Sequence, residues 1–299
     1  MKLTFATRPS ALARWQTNYI AKHLQEAWED LNCEEVIIKT KGDRILDVPL
    51  PEVGGKGLFT QELEAALREG HVDAAVHSLK DLPTEDSPGL SIGLIPERAD
   101  ARDVLITPEG YKLDDLPHGA VVGTSSNRRS AQLLAYRPDL SVKSIRGNVD
   151  TRLRKVNTDE YDAIVLAAAG VTRLGLQTNI SQYLPYEIML PAPGQGALAV
   201  QCRADDESTL NILRALEHPP TRLAVTAERA FLEALGGGCS LPFGALATVT
   251  EEGIEVQGVI ASPDGALIHR LRATHSDPIE LGRELARRAI ADGAGALLS

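Results

Sequence analysis

Apolar residues fall into two alternating spacings along the first two thirds of the chain. Leu3–Ala6 is a short apolar run. From Ala11 to Trp28 the residues Leu12, Trp15, Tyr19, Leu24 and Trp28 recur mostly every three to five positions, the spacing of one helix face. Further strands are predicted at Val36–Lys39, Val72–His77, Val121–Gly123, Val142–Ile145 and Ile164–Ala168. Between them the pattern predicts helices at Leu58–Glu69, near Ser130–Tyr136 and near Asp150–Val156, with a short helix after Ala168. Such a βαβα order predicts an α/β fold with largely parallel sheets covered by helices on both faces.

The pattern changes after Pro219. A strong helix, Leu223–Leu235, runs into Gly236, Gly237 and Gly238. Strands are predicted at Gly244–Val249, Ile254–Ile260 and Ala266–Ala273, then an amphipathic helix from about Pro278 to Ile290, which together make a small α+β unit. Chain crossings are expected near Arg98–Arg102 and Pro191–Gly196, with the strand Leu198–Cys202 returning to the first domain. The expected domains are 1–98 with 197–217, then 99–196, then 218–299, the last carrying Cys239.

Charge narrows the function classes. Acids outnumber Lys and Arg 41 to 31, a formal charge of −10, so neither nucleic acid nor an anionic membrane is an expected partner. No apolar run reaches the ~18–20 residues of a membrane span, and the start, MKLTFATRPS, predicts no signal peptide. Cys33, Cys202 and Cys239 are odd in number and form no CxxC pair, which argues against disulfides and metal thiolates and for a reducing cytosol.

Within this acidic chain one stretch is basic: Arg128, Arg129, Arg137, Lys143, Arg146, Arg152, Arg154 and Lys155 meet only Asp139 and Asp150. Arg128 and Arg129 follow Gly123-Thr-Ser-Ser at a strand-to-helix junction, Arg146 lies in Arg-Gly-Asn at the next, and Arg8 lies in Ala-Thr-Arg-Pro-Ser after the first strand. Helix N-termini, hydroxyls and the two-pronged guanidinium favour carboxylates, and loops at the carboxyl ends of parallel strands converge. The pattern predicts a cleft for a small polyanion. Gly54-Gly55-Lys56-Gly57 lacks the Walker spacing and reads as a lid carrying one more cation. In Ala75-Val-His-Ser-Leu-Lys-Asp-Leu-Pro83 a strand ends at His77 and presents Asp81, a candidate acid beside Lys80, while His77 reads as structural. Cys239, in a glycine loop, is the candidate reactive thiol; Cys33 and Cys202 sit in apolar strand contexts. These residues alone leave the substrate open: an enzyme, a two-lobed solute-binding protein for a dicarboxylate, or, less well supported, a thiol hydrolase or an RNA binder.

The ordered strings ATRPSALA, GGKGLFTQELE, DAAVHSLKDLP, VGTSSNRR, RGNVDTRL, YDAIVLAAAG, LPAPGQGA and ERAFLEALGGGCSLPFG closely resemble the porphobilinogen deaminase (hydroxymethylbilane synthase) family. The resemblance implies two similar α/β domains of the transferrin and periplasmic-binding-protein type plus a small third domain. It implies a transferase that joins four porphobilinogen molecules head to tail with loss of ammonia, water then releasing hydroxymethylbilane. It implies a dipyrromethane primer, made of two substrate units, held by a thioether to Cys239, with Asp81 catalytic. Lys80, Ser126, Arg128, Arg129 and Arg146 then correspond to cofactor-binding positions, and Arg8, Ser10, Lys56, Arg152 and Arg173 to substrate-binding ones. Gln195 and Asn148 lie in matching motifs without a definite role. No metal is implied, and a cytoplasmic monomer is the family expectation. Asn127, Glu52 and Leu241 depart from the family pattern without removing a chemical group; Glu52 lessens the positive charge of the lid.

Overall fold

The computed structural model describes residues 1–44, 60–85, 87–156, 158, 160–236 and 242–297. Lys56 and Cys239, and the loops that carry them, lie outside the described residues. In chain order the strands are β1 (Lys2–Thr7), β2 (Asn32–Ile37), β3 (Ala74–Ser78), β4 (Leu90–Leu94), β5 (Asp103–Ile106), β6 (Val121–Gly123), β7 (Ser141–Lys143), β8 (Ala163–Ala167), β9 (Gln182–Tyr183), β10 (Leu198–Arg203), β11 (Phe243–Thr250), β12 (Gly253–Ala261) and β13 (Ile268–His275). The helices are α1 (Ala11–Ala27), α2 (Lys41–Arg44), α3 (Gln61–Arg68), α4 (Asn127–Tyr136), α5 (Val149–Val156), α6 (Ala168–Arg173), α7 (Glu207–Leu213), α8 (Pro219–Ala234) and α9 (Pro278–Ala291).

The chain forms two compact units. Met1–Ala99 with Ala197–Arg222 is the first, and Asp100–Gly196 with Leu223–Ser299 the second, so the changeover falls inside α8. The first unit is built on a five-stranded sheet of order β2-β1-β3-β10-β4. β2, β1 and β3 run parallel, and β10 is antiparallel to both β3 and β4. Leu3, Phe5, Ala74, Val76 and Val200 pack on one face with Ile20 and Leu24 of α1. Ala6 and Ala75 pack with Leu63, Ala66 and Leu67 of α3. The expected return of the chain at Leu198 is therefore observed.

The second unit repeats this plan. Its five-stranded sheet has the order β7-β6-β8-β5-β9, with β7, β6 and β8 parallel and β5 antiparallel to its neighbours. In both sheets a single antiparallel strand, β10 or β5, interrupts an otherwise parallel array, a refinement of the largely parallel expectation. The same unit holds an antiparallel three-stranded sheet, β11-β12-β13. Phe231 of α8 and Leu281 and Leu285 of α9 cover that sheet in one core with Phe243, Val256 and Ile260. Two similar α/β sheets plus a small α+β element is the architecture the resemblance implies.

Local differences from the sequence reading have physical causes. β2 begins at Asn32 rather than Val36, because Lys2–Thr7 pairs with Asn32–Ile37 along its whole length. α8 begins at Pro219, earlier than expected, since prolines are tolerated in a first turn whose amides lack intrahelical acceptors. Cys202 is buried and Cys33 half-buried, and burial pushes both thiols up, which keeps them unreactive. No helix among the described residues is long and apolar enough to cross a membrane.

α8 and α9 approach closely because Gly282 has no side chain. A Cβ there would lie 2.5 Å from both Ala227 O and Phe231 N. Gly282→Val should therefore separate the helices and lower the unfolding free energy by about 1–3 kcal/mol. Urea unfolding at unchanged slope would read this as a lower midpoint; an unmoved midpoint would contradict the packing.

Candidate active site

In the first unit the carboxyl ends of adjacent parallel strands β1 and β3 place Arg8 and the Lys80-Asp81 pair on the same sheet edge. Leu79, fully buried, donates its amide to Ala197 O at 3.0 Å and anchors a short 3-10 turn, Leu79–Asp81. That turn leaves Lys80 and Asp81 exposed. Among the described residues Asp81 makes no side-chain hydrogen bond or ion pair. Ser10 caps α1, its Oγ accepting from Ala13 N at 3.3 Å.

Arg8 is half-buried and already holds a carboxylate. Its Nη2 donates to Asp43 Oδ1 at 2.5 Å and its Nε to the same group at 3.2 Å. Burial alone would raise Asp43, but Arg8 and Thr40 hold its carboxyl below the usual range. His77 is fully enclosed, and burial pushes it down to about 4, so it stands neutral at pH 7. This agrees with a structural rather than a basic role.

In the second unit the parallel order β7-β6-β8 brings Arg146, after β7, and Ser126 with the first turn of α4, after β6, to one edge; Arg173 ends α6, which follows β8. The segments after β6 and β7 are joined: Ser125 Oγ donates to Ile145 O at 2.6 Å and accepts from Ile145 N at 3.1 Å. Gly147 takes a φ of +112°, open only to glycine at low cost, and turns the chain from β7 into α5. Arg152 Nε donates to Gly147 O at 2.8 Å, closing the turn. Arg173 Nη2 donates to Gly196 O at 2.8 Å.

The electrostatics of this edge are one-sided. Burial, then the nearby charges of Arg129 and Arg146, push the Arg152 guanidinium down to about 10. These three arginines therefore lie close enough to repel. Arg128 and Arg129 are themselves buried, at 5% and 6% exposure, and share one carboxylate, Asp103. Sequence reasoning placed both arginines correctly on the α4 junction but missed Asp103. The one available signal was an acid heading the apolar run Val104-Leu-Ile106 between arginines at 98, 102 and the later cluster. The described residues thus bring Arg128, Arg129, Arg146 and Arg152 together in the second unit, and Arg8, Lys80 and Asp81 onto one sheet edge in the first.

Comparison with known proteins agrees. Residues 3–211 match the family model described as porphobilinogen deaminase, dipyromethane cofactor binding domain, and residues 222–291 match porphobilinogen deaminase, C-terminal domain. The porphobilinogen deaminase of Brevibacillus brevis is 53% identical over 299 residues, covering 100% of this chain and 97% of its own. That of Moorella thermoacetica is 51% identical, covering 100% and 96%, and that of Shouchella clausii 50% identical, covering 99% and 96%. With one family spanning both units and half of all positions shared with whole-length relatives, this chain belongs to the porphobilinogen deaminase family.

Proposed function

We propose that the chain's own residues divide the work of making hydroxymethylbilane from porphobilinogen as follows. Arg128, Arg129, Arg146 and Ser126 hold the carboxylates of the dipyrromethane cofactor, with Lys80 as a further contact, and Arg8, Ser10, Lys56, Arg152 and Arg173 take those of the substrate. The observation that supports this most is the gathering of Arg129, Arg146 and Arg152, where burial and then the two neighbouring charges depress Arg152. A dipyrromethane bears several carboxylates, so its chemistry fits that donor set. When bound through Cys239 the cofactor supplies the free pyrrole carbon to which the first substrate is joined.

Asp81 is the acid in this reading. The substrate's aminomethyl group departs as ammonia and leaves a cation delocalised onto the pyrrole nitrogen. The Asp81 carboxylate stabilises that positive charge. It then accepts the proton released when the new carbon–carbon bond forms and passes it on. Its exposure and its lack of a partner among the described residues suit a group that must exchange protons at each addition. Arg8 is tied to Asp43, so substrate binding there exchanges one carboxylate for another. The net charge of −10 supports a chain that engages neither nucleic acid nor anionic membrane, and the same reading has it act in the cytoplasm as a monomer.

Intact-mass measurement of the purified protein is expected to show an adduct of two substrate units less the ammonia lost; Cys239→Ala should abolish it. An adduct retained in that variant would remove Cys239 from its role. Asp81→Asn keeps size but neither charge nor basicity, and is expected to retain the adduct while lowering kcat by at least about 100-fold. Near-normal turnover would exclude the proposed acid. Arg152→Lys tests the cluster through pH. A lysine starts near ~10.4, and the same burial and neighbouring arginines push it further down. Its charge, present at lower pH, is lost as pH rises, so KM for porphobilinogen should climb above about pH 8 in the variant and stay flat in the parent. Parallel profiles would show that Arg152 does not meet the substrate.

A further inference from the structure

Asp103 opens β5 with its side chain fully buried. Its Oδ2 accepts from Arg128 Nη1 at 2.7 Å. Its Oδ1 accepts from Arg129 Nε at 3.0 Å, from Arg129 Nη2 at 2.8 Å, and from Gln195 Nε2 at 2.9 Å. Burial alone would raise this carboxyl; the two guanidiniums hold it well below the usual carboxylate range. Backbone carbonyls fix the same donors from behind. Arg128 Nη1 also reaches Leu190 O at 2.7 Å, Arg129 Nη1 reaches Val165 O at 3.0 Å, and Gln195 Nε2 reaches Ala101 O at 2.8 Å.

Asp103 is one carboxylate shared by two buried guanidiniums. That arrangement is poor for stability alone, since apolar residues of similar volume commonly serve a core as well or better than buried ion pairs. It suits a site that must stay under-neutralised and yet keep its guanidiniums still. With no carboxylate the arginines would repel one another out of register. With two carboxylates they would have little charge left for a ligand.

We propose that Asp103 is a positioning residue of the anion site: it sets Arg128 and Arg129 for ligand carboxylates and, through Gln195, registers them with the Pro191–Gly196 segment. This rests on the reading that Arg128 and Arg129 hold cofactor carboxylates. It also gives Gln195 a role, as the neutral donor that completes the carboxylate's coordination.

The test is a double-mutant cycle on the full-length protein: parent, Asp103→Asn, Arg128→Gln and the double variant. Primer content is read by intact mass, KM and kcat per primer-bearing molecule, and folding by melting temperature. Each single variant is expected to lower primer content and raise KM about tenfold, the scale of a buried charge-assisted hydrogen bond, with kcat changed less than KM. The double variant should be no more than about twofold worse than the weaker single, because an unpositioned arginine has little left to lose. Additive effects, or a normal KM in Asp103→Asn while Arg128→Gln is impaired, would overturn the positioning role and leave the arginine reading standing. Normal primer content and KM in Arg128→Gln would overturn that reading and the proposal with it. Should Asp103→Asn fail to fold, Gln195→Met removes one uncharged donor. It is expected to raise KM about threefold at a near-parental melting temperature, and an unchanged KM would overturn the proposal.

Discussion

Repulsion among guanidiniums held at one sheet edge is the constraint on which the second unit turns. Arg129 lies in the first turn of α4, Arg146 between β7 and α5, and Arg152 within α5; burial first, then the charges of Arg129 and Arg146, push Arg152 down to about 10. Nothing in local propensity favours this. It is sustained by tertiary structure: the parallel order β7-β6-β8, the Ser125 bridge to Ile145, and a fully buried carboxylate beneath. The first unit is different. There Arg8 is satisfied by Asp43, and the exposed acid Asp81, not a cation, lacks a partner among the described residues.

The two sheets share one strand order, with a parallel trio followed by an antiparallel strand that arrives from a distant part of the chain. In each, charged side chains follow the parallel strands: Arg8, Lys80 and Asp81 in the first, and Arg128, Arg129 and Arg146 in the second. The repeated plan carries different charges: in the first, a carboxylate on a short turn that makes no side-chain pair among the described residues, and in the second, arginines gathered in and before two helices. The antiparallel strand matters most in the second sheet, because β5 begins with Asp103 opposite Ala167, the last residue of β8, and so sets the counter-charge at the same edge as Arg128 and Arg129.

Much of this was legible in the chain. The periodicities gave α1, α5, β8, α9 and the three C-terminal strands to within a few residues, and the strings around Arg8, Asp81, Arg128 and Arg146 marked the loops that matter. What stayed hidden follows one rule. A residue's place on a loop can be read locally, whereas the direction its side chain takes depends on partners far away in sequence. Arg128 and Arg129 looked like surface cations facing a ligand, yet their guanidiniums turn inward to Asp103, 25 and 26 positions earlier. β4 and β5 escaped notice because each is short and paired with strands remote in sequence, so neither shows the alternation of a half-exposed strand. The prolines at 219 and 220 looked like a break and proved to be a helix start.

The same buried polar chain reaches α8. Glu228 of α8 is fully buried, and its two oxygens accept from Gly194 N at 2.6 Å and Ala247 N at 2.8 Å. Gly194 is covalently joined to Gln195, which donates to Asp103, which holds Arg128 and Arg129. A buried carboxylate with two backbone donors is expensive to displace, so α8 is pinned to the Pro191–Gly196 segment and to β11 at once. α8 ends at Ala234, five residues before Cys239 in the sequence. The helix that leads to the thiol and the helix that carries the arginines are thus registered through a short run of hydrogen bonds rather than through apolar packing, which tolerates sliding. Directional bonds between fixed groups are the means a protein has to hold two helices at a set separation.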